Sequence, residues 1–192
     1  MRSKLLSKLL IGTTLIFGLT QCSFKNDTSS EFISEVNIEK ETNLNSSQGM
    51  RTYNYTQLNP FIIGYPIGYQ LEEDISEQIE VAFTHPMKDI HINVVTTSYK
   101  GDKELFIHQS FNDIQAFFTQ ARIITHDKIT VNKQDVYQLV LKVYLEEQSK
   151  RIYQYSTFRD QETLYILTFI TPDEDSHEVE LMIEKVLQSF RY

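Results

Sequence analysis

Leu164-Tyr165-Ile166-Leu167-Thr168-Phe169-Ile170-Thr171-Pro172-Asp173-Glu174 joins two kinds of chain within a few residues. Its first part is almost continuously apolar and rich in β-branched and aromatic residues, the composition of a strand covered on both faces. Thr171 is then placed to cap a helix, Pro172 to open it, and Asp173 and Glu174 to complement its N-terminal dipole. Val179, Met182, Ile183, Val186, Leu187 and Phe190 follow at spacings that form one apolar stripe. A central strand followed by a helix folding back across the sheet predicts a layered α+β architecture.

Upstream, the segments Ile129–Val131, Val136–Leu145 and Arg151–Phe158 carry strand-forming residues, with turn signals between them at residues 132–135, 146–150 and 159–162. Together with the central strand they read as a meander. Phe111, Ile114, Phe117, Phe118 and Ala121 recur at helical spacing, and Ser110 with Asp113 has the spacing of a capping box. Further back, Ile79–Thr84 alternates apolar and polar residues, residues 85–89 make a turn, and Ile90–Thr97 is the partner strand of an antiparallel hairpin. Phe61–Leu71 reads as two short strands around Pro66-Ile67-Gly68. The portion 56–192 is long enough to bury a core without disulfides.

In this order, Phe61-x-Ile63-x-Tyr65-Pro66-x-Gly68-Tyr69, Ile129-Thr130-Val131-Asn132 running into Val136-Tyr137-Gln138-Leu139-Val140, Tyr165–Phe169 before Thr171-Pro172, and Ile183-x-x-Val186-Leu187-x-Ser189-Phe190 resemble the PsbP-like group. That group includes extrinsic photosystem proteins, the Ran-binding Mog proteins and bacterial envelope lipoproteins such as DcrB. The resemblance implies a central antiparallel sheet flanked by helices, an α-β-α sandwich, serving as a binding or assembly module. Where relatives often have Trp after the turn, this chain has Tyr69, and it contains no Trp.

The N-terminus carries Arg2, Lys4 and Lys8, then an apolar run ending at Cys22, the single cysteine. Residues 1–21 read as an export signal, since the run is shorter than a membrane span and is interrupted by Gly12, Thr13, Thr14 and Gly18. Leu19-Thr20-Gln21-Cys22 resembles the lipobox of bacterial lipoproteins, which implies cleavage before Cys22 and lipidation of its sulfur. Gln21 departs from the Gly, Ala or Ser usual there, and an ordinary secretory signal with an incidental cysteine is the alternative. Residues 22–55 are polar and read as a flexible tether. Loss of residues 1–21 leaves 15 Lys+Arg against 26 Asp+Glu, moving the net charge from −8 to −11. Such a surface repels nucleic acid.

Enzymatic signatures are absent from the sequence: it holds no Gly-x-Ser-x-Gly, no phosphate-cradling glycine loop and no cysteine pair of zinc spacing. His85, Asp89 and His91 border one turn and are weak candidates for a metal site, the two histidines needing a third ligand from His108, His126 or His177 if Asp89 does not serve. The acidic runs at 72–80 and 173–180 lack the compact spacing of a cation loop and read as solvated faces. Tyr137, Tyr144, Tyr153, Tyr155 and Tyr165 fall on the presumed sheet, either packed beneath helices or lining a partner-binding face. The expected function is a non-enzymatic envelope protein, without cofactor, attached to a membrane by its N-terminal lipid and binding another envelope protein. A small-ligand or metal-binding role is the alternative.

Overall fold

Residue 49 is the first that the computed structural model describes; from there it describes the chain to Tyr192, apart from residues 119, 146, 147 and 175. The expected signal, the lipidated Cys22 and the tether up to residue 48 lie outside the described residues. Nine strands and two helices follow in the order β1 (Met50–Tyr55), β2 (Phe61–Pro66), β3 (Gln70–Leu71), β4 (Val81–Thr84), β5 (His91–Ser98), α1 (Phe106–Phe117), β6 (Arg122–Val131), β7 (Gln134–Leu145), β8 (Gln148–Phe158), β9 (Thr163–Pro172) and α2 (His177–Ser189).

β3 to β9 form one antiparallel sheet in the order β3-β4-β5-β9-β8-β7-β6, with β9 in the middle. Its eight central residues are all buried, as the continuous apolar run predicts. Alternation sends them into different cores. Tyr165, Leu167 and Phe169 face Ile183, Val186 and Phe190 from the α2 side, together with Phe61, Ile63 and Tyr65 of β2. Leu164 and Ile166 pack with Phe106, and Ile170 with Ile114, on the α1 side. The sheet is therefore the middle layer of an α+β sandwich, with α1 on one face and α2 beside the β1–β2 ribbon on the other.

Several boundaries differ from the sequence reading. Met50–Tyr55 is a strand paired along its whole length with β2, so the tether expected over 22–55 gives up its last six residues. Tyr55 stacks on Phe61 at 4.9 Å between ring centroids, and Tyr53 meets Phe83 edge-on at 5.8 Å. Those two tyrosines, scattered among Arg51, Thr52 and Asn54, do not look apolar in sequence. β6 runs from Arg122 rather than from Ile129 because it is an edge strand with one face in water, and its charged residues mask the alternation. α1 begins at Phe106, after a tight turn over Lys103–Leu105, and Ser110 lies buried in mid-helix instead of capping it. α2 is capped by Ser176, whose side chain accepts a hydrogen bond from the Val179 amide, while Pro172 ends β9. A strand paired on both sides took the residues that local preference assigned to the helix.

Two turns fix the register of what surrounds α2. Gly68, at φ +100°, occupies the third position of a turn closed by Tyr69 N donating to Pro66 O at 3.2 Å, a conformation that favours glycine. Asn132 and Lys133 both have positive φ and make a two-residue hairpin between β6 and β7.

Candidate functional site

Along one side of α2 runs an open groove of about 650 Å³, between the helix and the turns that follow β2 and β4. Its floor is Tyr69, Ile90, Val179 and Met182; its rim carries Ile67, Met87, Lys88, Glu174, Leu181 and Lys185. Met87 is 87% exposed, and Ile67 and Leu181 are 49% and 42% exposed, an apolar surface that the fold leaves partly unburied. Lys88 and Glu178 bridge turn to helix at 2.8 Å. Burial pushes the Tyr69 hydroxyl up to about 12, with the Glu178 carboxylate adding to the shift, so the floor is neutral at physiological pH. Gly49, the first described residue, also lines this groove, and its carbonyl accepts from Ile67 N at 2.9 Å.

A second groove, of about 660 Å³, lies across α2 over Tyr153 and Tyr155. These two tyrosines, with Tyr137 and Tyr165, are buried, which agrees with packing beneath the helices; of the five only Tyr144 is exposed. Tyr155 is held by a hydrogen bond from Gln138 Nε2 at 3.1 Å.

Of the metal candidates only His85 lines the first groove, and each of the three is otherwise engaged. His85 Nδ1 accepts from the amides of Met87 and Lys88 at 3.1 and 3.0 Å, which shapes the turn. His91 lies beneath the sheet surface, 5% exposed, with Nδ1 at 3.0 Å from Thr84 Oγ1 and Nε2 at 3.4 Å from Asp89 Oδ1. Asp89 is in turn paired with Lys150. Among the described residues, no three His, Cys, Asp or Glu side chains converge as a metal site.

A hydroxyl, an imidazole and a carboxylate in a row invite comparison with a nucleophilic relay. Two observations argue for a structural network instead. The imidazole is shut away from any substrate, and the carboxylate is neutralised by a lysine. Burial drives the His91 pKa down, against the opposing pull of Asp89, so the ring is held neutral. Burial alone would raise the Asp89 pKa, but Lys150 and His91 together hold it below the usual range.

A second charged hub holds the base of α2. The Asp173 carboxylate, 8% exposed, accepts from Ser149 Oγ at 2.8 Å and Arg151 Nη2 at 3.3 Å and is paired with Lys142. These contacts, Lys142 first, keep its pKa below the normal value. The acid that the sequence assigns to a helix N-terminus thus ties the approach to α2 down onto β7 and β8.

A model of the PsbP family matches residues 48–192, which begin one residue before the described structure and include β1. The chain belongs to the PsbP family. The solution structure of cyanobacterial PsbP (CyanoP) from Synechocystis is similar, with a TM-score of 0.55 and 18% identity over 74% of this chain and 92% of that one. The Ran-binding protein Mog1p of Saccharomyces cerevisiae has a TM-score of 0.56 and 10% identity over 74% and 95%. LpqN of Mycobacterium tuberculosis has a TM-score of 0.50 and 9% identity over 73% and 90%. No curated protein sequence matches this chain. At these identities the likeness is one of fold.

Proposed function

We propose that this PsbP-family domain is the binding module of a cell-envelope lipoprotein. Residues 1–21 direct export, Cys22 carries the lipid, and residues 22–48 tether the domain to the membrane. The domain binds another envelope protein through the groove beside α2. The observation that carries the binding reading is the exposure of Ile67, Met87 and Leu181 next to a rim of both charges, Lys88 and Lys185 with Glu174 and Glu178. The groove suits a partner segment presenting an apolar side chain flanked by charged ones. Two related folds fit this reading: LpqN is described as involved in cell envelope biogenesis, and Mog1p is a Ran-binding protein. No helix among the described residues is long and apolar enough to cross a membrane; in this reading the lipid on Cys22 provides the attachment.

Cross-linking in intact cells, followed by capture of the native protein beside Cys22→Ala and Met87→Glu forms, tests both halves. The Cys22→Ala form is expected in the soluble fraction, and the Met87→Glu form is expected at the membrane without the cross-linked partner. Membrane retention of the first form rejects the anchor; an unchanged partner in the second rejects the groove. A small-ligand role is the second reading, because the groove volume lies within the range of small-molecule sites. Mass spectrometry of the protein under native conditions separates the two, since a retained small molecule favours the second.

A further inference from the structure

The histidines that the fold brings together are not those that adjoin in sequence. His108 on α1 and His126 on the edge strand β6 are both exposed, and their ring centroids are 5.8 Å apart at an interplanar angle of 57°. Among the described residues neither ring is engaged by a hydrogen bond or an ion pair, so their nitrogens remain free to ligate. Two imidazoles sharing a tetrahedral Zn²⁺, with nitrogens about 2.0 Å from the metal, have ring centres roughly 5 Å apart. Rotation about the side-chain torsions of two solvent-exposed residues covers the remaining difference. A net charge of −8 over the whole chain raises the local concentration of cations.

We propose that His108 and His126 form a two-histidine site for a borderline divalent cation, Zn²⁺ or Ni²⁺, linking α1 to β6 across the edge of the sheet. Imidazole suits these metals, and water fills the remaining coordination positions. Among the described residues no carboxylate or carbonyl is hydrogen-bonded to either ring, so the site exchanges metal readily, unlike a closed structural zinc centre. By fixing the helix to the edge strand, the metal stabilises the folded state in proportion to its occupancy.

The test uses the untagged mature chain with Cys22→Ser, which removes a competing thiol. Zn²⁺ is titrated by calorimetry, the five imidazoles are followed by nitrogen-detected NMR, and thermal unfolding is recorded in parallel. The expected result is one bound Zn²⁺, joint movement of the His108 and His126 ring signals with His85, His91 and His177 unmoved, and a raised melting temperature. His108→Gln and His126→Gln, both exposed, are each expected to weaken binding by about tenfold or more and to abolish the thermal shift. Binding no tighter than millimolar, binding that survives in either variant, or movement of other histidines instead overturns the proposal.

Discussion

Asp173→Asn removes one negative charge while keeping the shape of the side chain, and it strikes the point where the approach to α2 is tied down onto β7 and β8. The carboxylate is almost buried and takes three donors: Lys142, Ser149 and Arg151. Hydrogen bonds to a charged group contribute roughly 1.5–3 kcal/mol each. The Lys142 side chain is 35% exposed, which screens its share. The amide oxygen of Asn can still accept from Ser149. The expected loss is about 2–3 kcal/mol, which for a chain of this size lowers the melting temperature by roughly 5–10 °C. With no tryptophan in the chain, urea unfolding followed by circular dichroism is the suitable assay. The loss also carries a pH signature. The native carboxyl ionises below its ordinary value, so its contribution is complete at pH 7 and fades as pH falls below about 4 through the native pKa. The gap between wild type and variant must therefore close in acid. A gap under about 0.5 kcal/mol at neutral pH, or one that persists unchanged at pH 3, refutes the reasoning.

His91, held neutral by burial, binds a proton less readily in the native than in the unfolded state; stability falls as pH drops below about 6.5, and His91→Gln flattens that part of the profile in unfolding curves from pH 7.5 to 5. Gly64→Ala puts a methyl 2.8 Å from Ser189 Oγ and 2.9 Å from its Cβ, at the point where β2 passes under the end of α2. A cost of about 1–3 kcal/mol is expected in denaturant unfolding, partly relieved by Ser189→Gly. Met87→Glu, at an exposed turn, is expected to leave stability within about 0.5 kcal/mol while abolishing capture of the partner.

The sequence was most legible where burial was heaviest. β9 and the stripe on α2 declare themselves because a strand covered twice and a helix covered once each leave a periodic apolar record. Half-wet elements left fainter marks: β1 presents two tyrosines among polar residues, and β6 is an edge strand dressed in charge. Capping residues misled for a different reason. Thr171-Pro172 suits a helix start as well as Ser176 does, and only the ladder with β8, running out to Lys150 opposite Pro172, decides between them.

The candidate site was less legible than the fold. Adjacency suggested that His85, Asp89 and His91 converge, yet the hairpin engages one imidazole with backbone amides and buries the other. The pair that does meet, His108 with His126, is brought together by packing of α1 near β6, a tertiary contact with no local signature. The groove is likewise assembled from the turns after β2 and β4 with α2. Its exposed apolar residues, Ile67 and Met87, sit in segments that read simply as turns.

The decisive measurement is the intact mass of the mature protein from the membrane fraction, with sequencing of its first peptide. A chain beginning at Cys22 whose mass exceeds that of the polypeptide by acyl groups on that residue is the expected result. An unmodified thiol at Cys22, or a first residue elsewhere, contradicts the anchored module, and the groove beside α2 must then serve a protein that is free of the membrane.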